Sequence, residues 1–538
     1  MWQASRSAAY VVLVALLTSF APATTFNTKI QHVIVIIQEN RTPDSLFFAD
    51  DTLYSNGGDV RPPGNPPSGS CHGTLVPLAS WQLSPCYDPR HRNDDWTAMY
   101  HGGQMDGACD IVVKYHDQPP PMVCAPTNPQ YRYVTNAEWD SVNHYKILDP
   151  YFQIANSYGF ANKMFQTNQG PSFPAHQFLF SGTSAPVSIP SQHYDWFAAD
   201  NVMPGSSKAG CIADDGAYSP LIDTGKSKGS CPNNQDPHCA YPCYDHPTMA
   251  NVLDTLPLEA PPRWLYYAQS AGDIWTAPNA ITAICGPAHS TSCAGGDWDN
   301  VVLPGNRMGD KGAILTDIAA CRLARVSWVV PDGHWSDHAG ELGHDGGPSW
   351  VAAIVNAIGN SWANSNGRCD YWGNHTNDAD ATAILIVWDD WGGWYDHVPP
   401  VSIGYNNGGQ QGKQYVYGFR VPLLVVSRYS PQHISSVNHD FGSILNFIEY
   451  VFGQGGSSLS EISPSYHFAD HFAPDAPPTC QTCTYSLSDF FDFNSARTFS
   501  TIQGAKYAPD CFHQPATSAC FGTDFTDADP DDDVVDDD

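Results

Sequence analysis

The chain has 538 residues, 42% of them apolar and 15% charged, which is a globular composition with ample length for a large core. Asp and Glu number 55 against 24 Lys and Arg, for a formal charge of −31. That balance excludes the basic footprint of a nucleic-acid binder and disfavours stable adsorption to anionic lipid.

Residues 1–23 read as a secretory signal. Arg6 supplies a positive start, Ala8 to Leu17 an apolar core, and Ala21-Pro22-Ala23 a small-x-small cleavage site. The alternative, a membrane anchor, needs a longer apolar run. No later segment is long and apolar enough to cross a bilayer, so an exported protein without stable membrane insertion is expected. The 16 cysteines, spread from Cys71 to Cys520, suit an oxidising compartment and predict disulfides. Cys239-x3-Cys243 and Cys480-x2-Cys483 have zinc-like spacing, but neither has a partner pair, so disulfides are preferred there too.

The first strand is "HVIVIIQENRTPDSLFF" (His32–Phe48). Five β-branched residues, Val33 to Ile37, are followed at once by Gln38, Glu39, Asn40 and Arg41. Residues 51–130 are rich in Gly, Pro, Asn and Asp and read as a loop insertion stapled by disulfides. Residues 143–185 read as helical in part. Residues 200–311 carry further Gly-, Asn-, Ser- and Cys-rich surface insertions. Regular patterning returns with "ARVSWVVP" (324–331) as a strand and "PSWVAAIVNAIGNS" (348–361) as a helix. "TAILIVWDDWGG" (382–393) and "VPLLVVS" (421–427) are strands, and "GSILNFIEYVFG" (442–453) is a helix. Short buried strands alternating with helices indicate an α/β fold with a mostly parallel sheet covered on both faces. A catalytic domain over 28–455 is expected, then a Cys-containing extension over 456–525. The tail 526–538 ends in "DADPDDDVVDDD" and reads as disordered, with calcium binding as the alternative.

Two apolar strands end in acids: one in Glu39-Asn40, the other in Asp389-Asp390. In open α/β sheets ligands gather outside the carboxyl ends of strands. Four oxygen donors on one edge would repel one another without a cation, and oxygen ligation suits a hard or borderline divalent metal. Taken alone, Asp389-Asp390 also fits a helix cap and a solvated turn. Ser172, in "NQGPSFPAHQFLFSGTS" (168–184), stands where a helix can begin. It is either a simple N-cap or a hydroxyl which, next to a metal, becomes a competent nucleophile.

These stretches together resemble a bacterial phosphoesterase family that holds phosphatidylcholine-type phospholipases C and a group of acid phosphatases, within the alkaline phosphatase superfamily. The resemblance spans residues 31–453. It rests on "HVIVIIQENRTPDSLF", "HRNDDWTAMYHGGQMDG" (91–107), "GPSFPAHQFLFSGTS", "SWVVPDGHWSDH" (327–338), "VWDDWGGWYDHVPP" (387–400) and "YGFRVPLLVVSRYS" (417–430), in that order. It implies an alkaline phosphatase-like three-layer sandwich and a divalent metal held by Glu39, Asn40, Asp389, Asp390 and Ser172. Ser172 would be the nucleophile that is transiently phosphorylated. His91 and His338 would line the phosphate pocket, where a histidine hydrogen-bonds phosphoryl oxygens or protonates the leaving alkoxide. For His338 a surface turn is the alternative, with His344 next in line; for His91 it is a structural loop role. Asp396 and His397 are expected to hold the Gly392-Gly393 turn, and Arg41 to serve as a charge partner or a structural ion pair.

The chain departs from the family pattern twice. Phe441 follows Asp440 where a histidine is common, and Ala175-His176 stands where many phospholipases have Asn-Arg. The leading expectation is a secreted phospholipase C on choline-type phosphodiesters, with aromatic residues available to cage a quaternary ammonium. An acid phosphatase on monoesters is the near alternative, and a non-catalytic binding protein on the same scaffold the distant one. Of two sequons, Asn40-Arg41-Thr42 lies in the expected site and Asn374-His375-Thr376 in a surface loop.

Overall fold

Val33 to Ile37 form a strand because β-branched side chains are stiff and suit a pleated surface buried on both sides. In the computed structural model this strand, β1, spans Ile30–Gln38. The structure describes residues 29–520 except 116–123, 125, 187–195, 204–206, 223–237, 258–261, 308–309, 341–344, 376–380, 404–414, 454–457, 464–468, 470–472, 477–479, 481 and 514–519. The expected signal, the acidic tail and His344 lie outside the described residues.

β1 sits near the middle of an eight-stranded sheet. Its companions are β2 (Gly159–Ala161), β3 (Trp264–Tyr267), β4 (Val301–Val302), β5 (Val326–Val329), β6 (Ala381–Trp388), β7 (Leu423–Ser427) and β8 (His433–Ser435). The order across the sheet is β4-β3-β5-β1-β6-β7-β2-β8. Every pair is parallel except those of β7, which runs antiparallel to both β6 and β2.

The longer helices are α1 (Asn93–Tyr100), α2 (Asp149–Ser157), α3 (Ser172–Ser181), α4 (Ala313–Ala319), α5 (Gly347–Gly359) and α6 (Phe441–Phe452). α5 packs on α2 and α4, and α3 packs on α6. Strand register shows that these two groups lie on opposite faces of the sheet. Trp328 of β5 pairs with Val35, and its indole N–H donates to the Leu179 carbonyl of α3 at 3.1 Å. Trp388 of β6 pairs with Gln38, and its ring lies 5.2 Å from that of Tyr151 on α2. Val35 and Gln38 are three residues apart and so face opposite ways. The architecture is the expected three layers.

Two stretches differ from expectation, and a third joins the core. Within 51–130, read as loops, α1 forms because Trp96 and Met99 are buried one turn apart and Asp95 accepts from the Arg92 amide. Within 200–311, read as surface insertion, β3 and β4 complete the parallel edge of the main sheet, and all of their residues are buried. The 456–525 extension contributes Leu487, Phe490 and Phe512 to the main core, with Phe512 4.7 Å edge-on to Trp335.

Disulfides staple the irregular parts: Cys71–Cys109, Cys86–Cys124, Cys211–Cys243, Cys285–Cys293, Cys321–Cys369, Cys480–Cys483 and Cys511–Cys520. Both zinc-like spacings are therefore disulfide cysteines, Cys239 included. No helix among the described residues is long and apolar enough to cross a membrane. Asn374 is exposed, whereas Asn40 is fully buried and closed to glycosylation.

Candidate active site

Parallel pairing of β1 and β6 runs to the register pair Gln38–Trp388, so the next residues of both strands emerge side by side at their carboxyl ends. The Asp389 amide still donates to the Gln38 carbonyl at 2.9 Å. Asp389 Oδ1 then takes the amides of Asn40 at 3.0 Å and of Asp390 at 2.7 Å. Asn40 has φ 61°, a left-handed turn that Asn tolerates better than most residues. The β6 turn closes directly against it. A Cβ on Gly392 would come within 2.6 Å of Asn40 Cβ, so this contact requires glycine. The Gly392 amide is held by Asp390 Oδ1 at 2.7 Å.

That corrects the role expected of Asp396 and His397. Asp396 forms a bidentate pair with buried Arg420 at 2.8 and 2.9 Å, and His397 bridges Asp44 and Asp59 at 2.8 and 3.1 Å. Arg41 gives its guanidinium to the carbonyls of Asn40 and Leu83 and lies over the Trp394 ring at 5.0 Å. It locks the turn after β1 through those carbonyls, and among the described residues it makes no ion pair.

Ser172 is the first residue of α3, whose ten residues are all buried. Its role as N-cap falls away, because Pro171 occupies that position and Asn201 Oδ1 accepts the Phe173 amide at 3.0 Å. The Ser172 hydroxyl instead faces the strand ends, 3.3 Å from Asp390 Oδ2 and 3.5 Å from Glu39 Oε2.

Two histidines complete the rim. His91 is fully buried, with Nδ1–H donating to the Pro89 carbonyl at 3.0 Å. Its Nε2 therefore faces the site, 3.4 Å from Asn40 Nδ2 and 3.8 Å from Asp390 Oδ2. His338 is half-buried, its ring 6.4 Å from that of His91, and its Nδ1–H donates to the Ala339 carbonyl at 2.6 Å. The loop carrying His338 is pinned by Gln38. The Gln38 side chain accepts from the Asp337 amide at 3.0 Å and donates to the Trp335 carbonyl at 3.1 Å. The polar residue at the tip of an apolar strand thus ties two parts of the site together.

The charges converge without lysine or arginine among the described residues. Glu39, Asp389 and Asp390 are fully buried, and their ion-pair partners among the described residues are His91 and His176. Burial, and next the Asp389 carboxylate, push both Glu39 and Asp390 well above the usual carboxylate range; His91 and His338 oppose this at Asp390. Two buried oxygens, Asn40 Oδ1 and Asp389 Oδ2, have no hydrogen-bond partner among the described residues. Orphaned acceptors among crowded carboxylates are what a divalent cation would satisfy, so the residues present fit such an ion.

One site residue escaped the sequence reading. His176, seen there only as a departure from the family pattern, has Nε2 3.1 Å from Glu39 Oε1, and with Glu39 and Asp389 it offers ligand atoms all within 4.8 Å of one another. The signal was present: Ser172 and His176 are four residues apart on one helix and share a face. Burial pulls its imidazole down to about 4. His439, beside the other departure, makes no such contact. It sits between Asp475 and Asp489, while Asp440 caps α6 by accepting the Ser443 amide at 2.9 Å.

The model of the phosphoesterase family matches residues 30–454. The chain belongs to that family. Among curated proteins it is similar to non-hemolytic phospholipase C of Pseudomonas aeruginosa, at 24% identity over 31% of this chain and 27% of that protein. It is also similar to phospholipase C A of Mycobacterium tuberculosis, at 31% identity over 26% of this chain and 28% of that protein. The matched segments thus span little more than a quarter of these relatives. A solved structure from Vibrio parahaemolyticus, a protein in the alkaline phosphatase superfamily, aligns over 58% of this chain and 62% of its own, with 11% identity and a TM-score of 0.29.

Proposed function

We propose that this family member is a secreted, metal-dependent phosphoester hydrolase working through a phosphoserine intermediate, with phospholipase C action on choline-type phosphodiesters as its leading activity. One observation carries the reading: the Ser172 hydroxyl lies 3.3 and 3.5 Å from two buried carboxylates at the ends of two parallel strands, beside orphaned ligand oxygens. Glu39, Asn40, Asp389, Asp390 and Ser172 would hold the ion. When bound, it would lower the pKa of the serine hydroxyl and offset the negative charge that makes a phosphate ester resist attack.

The chain's own residues supply the rest. Asp390 Oδ2 is the nearest acceptor for the Ser172 proton as Oγ attacks phosphorus. The leaving alkoxide then needs a proton. In His91 and His338 the Nδ1–H is committed to a backbone carbonyl, so Nε2 is the nitrogen that faces substrate, and in the imidazolium form its second proton passes to the alkoxide. Water subsequently attacks the phosphoserine, and the same groups act in reverse. The phospholipase names of the relatives support the diester substrate, while an acid phosphatase acting on monoesters would use the same residues. Export fits the disulfides.

The test is a paired initial-rate assay of the purified protein on p-nitrophenyl phosphorylcholine and p-nitrophenyl phosphate, with and without chelator. Chelator-sensitive turnover of the diester is expected. Turnover of the monoester alone makes the protein a phosphatase, and silence on both with divalent ions restored sinks the catalytic reading in favour of a binding protein.

A further inference from the structure

We propose that His176 is itself a ligand of the divalent ion, through Nε2, so that the site is a mixed nitrogen–oxygen one that selects a borderline transition ion over calcium or magnesium. The inference rests on the metal-dependent reading above and concerns a residue that reading does not use.

The argument is a proton inventory. A tyrosine hydroxyl has one proton to give and two lone pairs. Tyr266, buried on β3, gives its proton to the Trp275 carbonyl at 2.7 Å. Its oxygen lies 3.4 Å from the Ala277 amide and 3.3 Å from His176 Nδ1. With the Tyr266 proton already committed, the contact to His176 is a hydrogen bond only if Nδ1–H donates. The neutral imidazole therefore carries its proton on Nδ1 and a bare lone pair on Nε2.

That lone pair points at acceptors. Nε2 lies 3.1 Å from Glu39 Oε1 and 3.9 Å from Asp389 Oδ2, and the latter is buried with no hydrogen-bond partner among the described residues. Ligands about 2.1 Å from a common ion lie roughly 3.0–4.2 Å apart, and both separations fall within that span. The Tyr266 hydroxyl plays the part usually taken by a carboxylate or carbonyl behind a metal-bound histidine, fixing its tautomer. Imidazole shifts an oxygen site towards zinc, copper, iron or nickel and away from calcium and magnesium. The all-oxygen set read from the strand ends is thus one donor short.

The experiment is pulsed electron spin-echo spectroscopy of the whole protein loaded with Mn(II), together with Zn(II) and Ca(II) affinities by equilibrium dialysis. Wild type should show modulation from a directly bound nitrogen. H176Q should lose it while still holding one Mn(II), and H91Q should keep it. The ratio of Zn(II) to Ca(II) affinity should fall at least about 10-fold in H176Q, and in Y266F by about 10–100-fold, the usual cost of losing such a support. Bound Mn(II) without nitrogen modulation in wild type, or modulation that persists in H176Q, overturns the proposal and leaves the metal-dependent reading intact. Failure of wild type to bind any of the three ions overturns both.

Discussion

Ser172 Oγ lies 3.3 Å from Asp390 Oδ2, although 218 residues separate them in the chain. A helix start on one face of the sheet and a strand end within it meet there, with His91 Nε2 3.8 Å from the same Asp390 oxygen. The consequences can be measured.

Ser172→Ala should cut phosphoester turnover by about 10³-fold or more while the denaturation midpoint changes little, since the residue caps nothing. Acid-quenched wild type incubated with substrate should carry one phosphoryl group on the peptide containing Ser172. A fully active S172A variant would remove the nucleophile from that position.

Removing the divalent ion should destabilise the fold as well as stop turnover. Three buried carboxylates are left facing one another, whereas a ligand at 1,000 times its Kd stabilises by about 4 kcal/mol. Melting followed with and without chelator, then with Zn(II) or Mn(II) restored, checks this; an unchanged melting curve counts against an ion among these residues.

Gln38→Leu keeps the size of the strand tip but releases the Asp337 amide and the Trp335 carbonyl. We expect a loss of about 1–3 kcal/mol in urea unfolding, the usual cost of unsatisfied buried groups. A larger relative drop in kcat should accompany it, because the His338 loop is no longer pinned. Unchanged kcat would show that the loop is held by other contacts.

Arg420→Met strands Asp396 in the core and leaves Asp44 to His397, since Arg420 is fully buried and contacts both carboxylates. Breaking one side of such a pair costs about 3–5 kcal/mol. Equilibrium denaturation should show it, and expression at reduced temperature should partly rescue yield.

Stability should fall as pH rises from neutrality to about 10. Burial alone would lower the His439 pKa, but Asp475 and then Asp489 overcome it and raise the imidazole to about 10, above its unfolded value of 6.5. A raised pKa means that the folded state binds the extra proton, so the stabilisation is complete below pH 6.5 and is lost towards pH 10. His397 behaves alike, its pKa raised to about 10 by Asp44 and Asp59 against the cost of burial. Urea midpoints at pH 6, 8 and 10 should decline in wild type and decline less in H439Q. Equal slopes would mean that other groups carry the effect.

Local events were legible in the chain alone. β-branched runs made β1 and β6, helical spacing made α5 and α6, and polar residues at two strand tips marked where ligands gather, because each signal depends on neighbours within one turn or one strand. Which strands pair was decided only by tertiary structure. Trp264–Tyr267, four residues among loops, becomes sheet because β5 offers it a paired edge and both faces are covered. Likewise, nothing near His176 in the chain says that Tyr266 fixes its tautomer or that Glu39 faces its other nitrogen. Those contacts join α3, β3 and β1, and only burial in one packed core brings their donors and acceptors within reach.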